Sequence, residues 1–270
     1  MHTSTSGVTN YYLPVYADDV DPQSHNAVPE LILWFFDSRG GNLFQQTDRN
    51  GHIVPQQDWV DKTVVSWFNR TKKSLAAQYN NTIVSSLAFV HIPVDAMLAF
   101  QSGPGVKPHQ EPGINEDVPI AQQGQGWASE TQLGCPDSYA GQDVPFMAAL
   151  LDTPALMAIF SGHDHGNDWC AKWNAKLPGM NLTGNGLNMC FGGHTGYGGY
   201  GKWIRGARQI VVDLEKMRHG QGIETYIRLE DGSESGRVVL NDTYSEDQYP
   251  EVPVRYSPEM GEEHTGRGLP

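Results

Sequence analysis

The chain has 270 residues and a mass of 29.8 kDa, enough for one large domain with a buried core. Hydrophobic residues make up 39% of it and charged residues 18%, which excludes general disorder, and its longest apolar run, LILWFF, is too short to span a bilayer. The formal net charge of −13 disfavours nucleic acid as a partner, because the summed field of the protein repels polyanions.

The first part of the chain alternates strand and helix patterns. Residues 8–16 and 30–37 are rich in β-formers, and the second segment is apolar enough to be buried on both faces. Between residues 57 and 79, apolar side chains recur every three to four positions, which predicts a helix. A strand at 83–90 and a short helix at 94–100 follow. This order predicts an α/β fold.

The second part opens with residues 101–142, whose Gly, Pro and Gln content predicts one long surface loop. A helix is predicted at 145–151 and a buried strand at 156–160. Three further strands are predicted, at 187–193, 207–214 and 223–229. The remainder is acidic and poorly patterned, so we expect a domain at 1–240 and an acidic tail at 241–270.

Cysteines and glycosylation sequons bear on the cellular compartment. The cysteines form neither a dense disulfide scaffold nor a zinc motif; Cys170 and Cys190 are either a disulfide pair or small buried hydrophobes. Four Asn-x-Ser/Thr sequons favour a secreted glycoprotein, the alternative being unmodified asparagines in a cytosolic protein; they begin at Asn69, Asn80, Asn181 and Asn241. The opening residues do not form a signal peptide, so either the protein is cytosolic or its true start lies upstream.

Two histidines follow the predicted buried strand at 156–160. His163 and His165 lie in the segment GHDHG, where flanking glycines allow a sharp turn. Ligands of open α/β sheets gather beyond the carboxyl ends of strands, and neutral imidazoles suit metals such as zinc and iron. The segment therefore predicts a metal site, the alternative being a hydrogen-bonded surface loop.

His91 takes the equivalent position after another predicted strand, in AFVHIP, where a proline stops the strand. A single histidine at such a place is commonly structural. Combined with His163 and His165, however, it would bring three imidazoles to adjacent strand ends, so we expect all three to converge on one cation.

Four segments together resemble a known family: LWFFDSRGG, FVHIPV, FSGHDHGNDWC and CFGGHTGYGGYGKWIRGARQI. They are similar to the later part of a calcineurin-like metallophosphoesterase, in the fungal branch related to purple acid phosphatases. The resemblance covers residues 7–229. It implies a four-layer αββα sandwich with mixed sheets and two divalent or trivalent metal ions (Fe, Zn or Mn) that activate water to hydrolyse phosphate esters. It also implies that His91 and His163 bind one metal and His165 the other.

The sequence departs from the family in its acidic motifs. The motifs DxH, GDxxD and GNH are absent. The sequence therefore predicts no catalytic residue and at most one weakly held metal ion. We expect a phosphatase lineage without robust activity of this chain alone, a truncation at the N-terminus, and an unpaired sheet edge with an exposed apolar face. The alternatives are a non-catalytic remnant or binding module, and a single-metal enzyme of another reaction class.

The remaining candidates concern substrate binding. His194 and Tyr197 in GGHTGYGG are predicted to line a phosphate pocket, the alternative being a tight packing loop. Asp37 is predicted to cap a turn. Arg205 and Arg208 are predicted to be solvated surface charges, the alternative being that they attract phosphate. The expected partner is a small-molecule phosphoester or a phosphoprotein, with no nucleic acid and no membrane.

Overall fold

The structure, a computed structural model, describes residues 6–24, 27–117, 127–129, 132–133 and 141–257. Its strands are β1 Tyr11–Val15, β2 Leu31–Phe36, β3 Asn42–Thr47, β4 Ile53–Pro55, β5 Ser85–Val90, β6 Trp127–Ser129, β7 Gln132–Leu133, β8 Leu156–Ser161, β9 Cys170–Trp173, β10 Leu187–Phe191, β11 Gly206–Val211, β12 Ile223–Leu229 and β13 Glu234–Leu240. Its helices are α1 Lys62–Gln78, α2 Asp95–Ser102, α3 Val144–Leu151 and α4 Leu214–Arg218. The predicted α/β class is confirmed.

Helix α1 begins later than the apolar periodicity predicts, because a side-chain cap sets its first residue. The helix predicted from residue 57 begins at Lys62, because the Asp61 carboxylate accepts a hydrogen bond from the Thr63 backbone N–H at 2.8 Å. The short hairpin of β3 and β4 precedes it and was not predicted. Asp37 caps a turn as expected: its carboxylate accepts from the backbone N–H groups of Val8 and Arg39, at 2.9 and 2.8 Å.

A six-stranded sheet, in the order β1-β2-β5-β8-β10-β9, forms the centre of the fold. Strands β2, β5, β8 and β10 run parallel, and the antiparallel strands β1 and β9 take the two edges. The carboxyl ends of the four parallel strands therefore meet at one edge of the sheet. The residues that follow β5 and β8, which include His91 and His163, become neighbours there.

The central sheet buries both faces. Helices α1, α2 and α3 cover one face, where Trp34, Phe68 and Phe146 belong to the larger apolar core. The antiparallel sheet β11-β12-β13 covers part of the other face, where Leu87 packs in a second core with Val238. The described residues thus form a helix layer and two sheet layers, consistent with part of a metallophosphoesterase-like sandwich.

Cys170 and Cys190 face each other across the antiparallel pair β9 and β10 and are joined by a disulfide bond. Both side chains lie in the core between the two sheets. The structure therefore has the paired form of these two cysteines. Cys135 lies outside the described residues.

Strand β1 leaves apolar side chains open to solvent at one sheet edge. Tyr11 and Leu13 are 43% and 47% exposed. An aromatic row continues from Tyr11 across the sheet through stacked rings of Phe35 and Phe89, with centroid spacings of 4.7 and 4.9 Å. Within the described part of the chain, no helix has both the length and the apolar character that a membrane crossing requires.

The last described segment, residues 241–257, packs against the domain. Tyr244 is fully buried, and its hydroxyl donates to the Cys170 carbonyl at 2.8 Å. The Ser257 backbone N–H donates to the Lys202 carbonyl at 2.8 Å. The division into a domain at 1–240 and a tail at 241–270 stays a prediction, and residues 258–270 lie outside the described part.

Candidate functional site

His91 and His163 are in contact at the carboxyl edge of the sheet. The backbone N–H of Gly162 donates to the His91 carbonyl at 3.0 Å, which extends the β5–β8 pairing by one step. His163 then adopts a left-handed backbone conformation with φ of 75°, and its Nδ1 lies 3.3 Å from His91 Nε2. The two rings meet edge to face.

This spacing fits two ligands of one metal ion. Two imidazole nitrogens bound to a zinc ion at about 2.1 Å and a tetrahedral angle lie roughly 3.4 Å apart. The distance of 3.3 Å between His91 Nε2 and His163 Nδ1 is close to that value. It equally accommodates an N–H···N hydrogen bond between two neutral rings in the absence of an ion.

His165 turns toward a neighbouring aromatic stack. Its ring lies between His194 and Tyr200, with centroids 3.9 and 4.4 Å away. Its Nδ1 lies 3.0 Å from the Tyr200 carbonyl oxygen, so Nδ1 carries the proton and donates it there. The lone pair then resides on Nε2, the arrangement by which a carbonyl orients a metal-binding histidine.

Asp117 is a site residue that the sequence analysis missed. One of its carboxylate oxygens accepts from the Tyr200 hydroxyl and from the Gly166 backbone N–H. Its negative charge also acts on His163, raising that group's pKa against the effect of burial. The sequence placed Asp117 in a long surface loop without periodicity, and the acidic pair Glu116-Asp117 was the only signal available.

The described residues contain no group of three or more His, Cys, Asp or Glu side chains positioned to hold a metal ion. The expected convergence of three histidines thus takes the form of one contacting pair, His91 and His163, with His165 beside it. The assignment of these three residues as metal ligands stays a prediction.

The electrostatics keep the histidine pair neutral. Burial, with smaller contributions from the charges of His91 and His165, lowers the pKa of His163 to about 4. Burial and His165 also lower the pKa of His91, although part of the His91 side chain is open to solvent. Both rings are therefore uncharged at neutral pH, and the neutral form is the one that binds metals.

His194 and Tyr197 lie on the glycine-rich loop after β10. His194 is buried; its Nε2 donates to the Gly198 carbonyl at 2.9 Å, and its Nδ1 accepts from Arg205 at 2.7 Å. Tyr197 is 75% exposed, and its hydroxyl donates to Glu230 at 2.7 Å. Both ring nitrogens of His194 thus stabilise the loop, and the substrate-binding role of the two residues stays a prediction.

The prediction that Arg205 and Arg208 are solvated surface charges is wrong. Arg205 is only 3% exposed and donates to His194 and to the Trp203 carbonyl at 2.6 Å. Arg208 donates to the Phe191 carbonyl at 2.6 Å and to the Thr225 hydroxyl at 3.0 Å. Burial is tolerated because the planar guanidinium fork finds acceptors in fixed positions along strand ends.

A cleft of about 410 Å³ opens beside His91. Its lining includes Phe35 and Phe89 of the aromatic row, together with Gly192, Gly193 and Arg208. The cleft has the size of a small-molecule site. Glycines in its lining let a ligand approach the backbone closely.

None of the known protein-family profiles matches the chain. It is 31% identical over 238 residues, 83% of its length, to "Probable inactive purple acid phosphatase 29" of Arabidopsis thaliana. It is also 26% identical over 242 residues, 85% of its length, to "Probable inactive purple acid phosphatase 14" of the same plant. The matches cover 50% of each relative, so the chain spans about half the length of the curated relatives it matches.

Proposed function

We propose that this chain, a relative of purple-acid-phosphatase-like proteins, derives from metal-dependent phosphate-ester hydrolases and binds one divalent cation and a phosphate ester without robust turnover of its own. The observation that carries the proposal is the 3.3 Å separation of His91 Nε2 and His163 Nδ1. The names of the relatives, which call them probable inactive purple acid phosphatases, support the weak turnover.

His91 and His163 would hold the cation, which can be Zn²⁺, Mn²⁺ or Fe²⁺. A cation there supplies positive charge for a phosphoryl oxygen and lowers the pKa of bound water. The lowered pKa values of the two histidines keep their nitrogen lone pairs available at neutral pH. Asp117, held by the Tyr200 hydroxyl, contributes the nearby negative charge that partly offsets a cation.

The small number of carboxylates near the histidine pair favours one bound metal ion over two. Two divalent ions about 3.5–4 Å apart repel strongly unless anionic ligands lie between them. Within the described residues, Asp117 is the carboxylate whose charge acts on His163. His165 offers its Nε2 lone pair, but its ring is held in the stack with His194 and Tyr200.

A second candidate function is hydrolysis of a phosphomonoester by this chain itself. The position of Asp117 near His163 favours it, because a carboxylate at a metal site can complete the ligand set or accept a proton. The two candidates share the binding step. They differ in turnover.

One experiment separates the candidates. The metal-free chain is dialysed against Zn²⁺, Mn²⁺ or Fe²⁺, bound metal is counted by elemental analysis, and hydrolysis of an aryl phosphate is followed. One bound ion with phosphate binding and negligible turnover supports the proposal. Robust turnover establishes the second candidate instead, and absence of any bound ion overturns both.

The biological setting is proposed with the same lineage. The disulfide between Cys170 and Cys190 and the four sequons support a secreted glycoprotein. The phosphate ester is a small molecule or a phosphoprotein side chain. The fungal branch stays a prediction, since the reported relatives are plant proteins. A mobility shift after enzymatic removal of N-linked glycans from the native protein tests the secretory assignment.

A further inference from the structure

Tyr200 contacts several segments of the chain beside the histidine pair. It lies in the glycine-rich loop after β10, and its ring stacks on His165 with centroids 4.4 Å apart and 11° between the ring planes. The Trp203 ring stands nearly perpendicular to it, with centroids 6.2 Å apart. The Tyr200 ring is therefore packed against two other rings.

Glycines on both sides of Tyr200 permit this packing. Gly199 and Gly201 have φ of +86° and +81°. A Cβ on Gly199 would lie 2.4 Å from His165 Cε1, and one on Gly201 would lie 1.9 Å from Trp203 Cζ3. A side chain at either position would thus displace one of the two rings, and only glycine lets the loop pass this close.

The Tyr200 hydroxyl has a defined direction of hydrogen bonding. The His165 backbone nitrogen lies 3.2 Å from the hydroxyl oxygen, and an N–H group can only donate, so the hydroxyl accepts there. A hydroxyl has one proton, and it is donated to the Asp117 carboxylate. The hydroxyl therefore links the backbone of His165 to the side chain of Asp117.

Asp117 uses one of its two carboxylate oxygens for these contacts. Its Oδ2 accepts from the Tyr200 hydroxyl and from the Gly166 backbone N–H, the latter at 3.2 Å. Among the described residues, none donates a hydrogen bond to Oδ1. The negative charge of Asp117 acts on His163. Oδ1 is therefore available to a cation at the histidine pair, either directly or through bound water.

The backbone of Asp117 is held by other contacts. Its carbonyl accepts from Asn167 Nδ2 at 3.3 Å and from Gln101 Nε2 at 3.4 Å. An isolated β-bridge between Asn115 and Asn167 fixes the same segment. Loss of the Tyr200 hydroxyl would therefore leave the segment in place and release the carboxylate from one of its two donors.

We propose that Tyr200 is a positioning residue of the cation site: its hydroxyl holds Oδ2 of Asp117 so that Oδ1 faces the cation at the histidine pair. This inference rests on the proposed cation binding. It adds to that proposal the carboxylate oxygen that meets the cation or its bound water and the residue that orients it. Loss of such an outer partner typically weakens metal affinity by about 10- to 100-fold.

The competing explanation is that the hydroxyl only stabilises the loop. A double-mutant cycle of Tyr200→Phe and Asp117→Asn distinguishes the two, because it measures whether one residue acts through the other. Tyr200→Phe keeps the ring and the backbone carbonyl and removes only the hydroxyl. Zinc affinity is measured by calorimetric titration of the metal-free full chain. We expect about tenfold weaker binding in each single variant, and no further loss in the double variant relative to Asp117→Asn.

Tyr256→Phe is the matched control. The Tyr256 hydroxyl donates to Glu116 Oε2 at 2.8 Å, so it holds the residue immediately before Asp117 by the same kind of bond. This variant should keep zinc affinity within about twofold of the wild-type value. A loss equal to that of Tyr200→Phe would show that anchoring of the segment is sufficient, and it would overturn the proposal.

The outcomes separate this inference from the proposed function. Unchanged zinc affinity in Tyr200→Phe, or a further loss in the double variant relative to Asp117→Asn, overturns the role of Tyr200. Unchanged affinity in Asp117→Asn overturns the role of Oδ1 and leaves cation binding by His91 and His163 intact. If the wild-type chain binds no Zn²⁺, the proposed function fails and this inference fails with it.

Discussion

His91 and His163 are separated by 72 positions in the sequence, yet their ring nitrogens Nε2 and Nδ1 lie 3.3 Å apart. The contact follows from the strand order of the sheet. Strands β5 and β8 are parallel neighbours, so the histidines that follow their carboxyl ends lie at the same edge of the sheet. The backbone conformations of the two histidines differ. The His163 backbone is held in a left-handed turn, whereas His91 continues directly from its strand.

Removing His163 should strongly weaken cation binding. We expect His163→Ala to weaken Zn²⁺ affinity by at least about a hundredfold, because one of the two contacting nitrogens is lost. Calorimetric titration of the metal-free protein measures this change. His52→Ala is the control, since His52 is an exposed histidine beside Asp48. Equal affinity in the wild-type protein and in His163→Ala would remove the histidine pair from the site.

A methyl group at Gly199 should displace the His165 ring. Gly199 has φ of +86°, and a Cβ there would lie 2.4 Å from His165 Cε1. We expect Gly199→Ala to destabilise the loop by about 1–3 kcal/mol and to shift the His165 imidazole resonances. Gly198→Ala is the matched control, because a Cβ there meets no described atom within 4 Å. Identical spectra for the two variants would contradict the observed stacking.

The disulfide should contribute measurably to the free energy of unfolding. Cys170 and Cys190 are 20 positions apart, and closing a loop of that size contributes about 3 kcal/mol. We therefore expect reduction, or the double change Cys170→Ala and Cys190→Ala, to lower the melting temperature. Thiol titration should find one free thiol before reduction and three afterwards. Cys135→Ala is the control and should abolish that single free thiol, and three free thiols in the native protein would contradict the pairing.

Asp95 should make stability fall as the pH rises. Burial, and then the charge of Asp143, raises the pKa of Asp95 from 3.8 to about 7, so the folded protein holds this proton more tightly than the unfolded chain. Its contribution is complete below about pH 4 and is lost as the pH rises through about 7. The contribution of His163 to stability changes with pH in the opposite direction and increases as the pH rises, because its pKa is lowered in the folded state.

The comparison with Asp95→Asn isolates this effect. Melting temperatures of the wild-type protein and of the variant are measured between about pH 4 and pH 8 and subtracted, which cancels the contribution of the histidines. We expect the variant to gain stability relative to the wild-type protein as the pH rises. Asp18→Asn, at an exposed position, is the control for the removal of one negative charge from the surface. A flat difference for Asp95→Asn would show that its carboxyl group is not desolvated.

Most strands and helices could be predicted from the sequence, because burial on one or both faces leaves a periodic apolar pattern. LILWFF indicated a strand buried on both faces, and β2 has that burial. The β3–β4 hairpin escaped prediction because both strands lie largely at the surface and carry no such pattern. The helix start depended on a side-chain cap at Asp61, which apolar spacing does not detect.

The positions of His91, His163 and His165 after buried strands could likewise be predicted from apolar runs interrupted by glycine and proline. The surroundings of these side chains could not. An isolated β-bridge between Asn115 and Asn167 brings Asp117 next to Gly166. No local sequence pattern predicts this pairing. The burial of Arg205 depends on His194 and the Trp203 carbonyl, and the acceptor set of a guanidinium is invisible in a sequence.

The sequence by itself determined the α/β class, the strand ends that carry the histidines, and the absence of the DxH, GDxxD and GNH motifs. These features depend on residue type and on spacing along one segment. Only the tertiary structure decided which rings touch, that His165 stacks on His194, and that Arg205 is buried. The physical reason is that hydrogen bonds and packing join segments far apart in the chain, and their partners are chosen by the folded geometry.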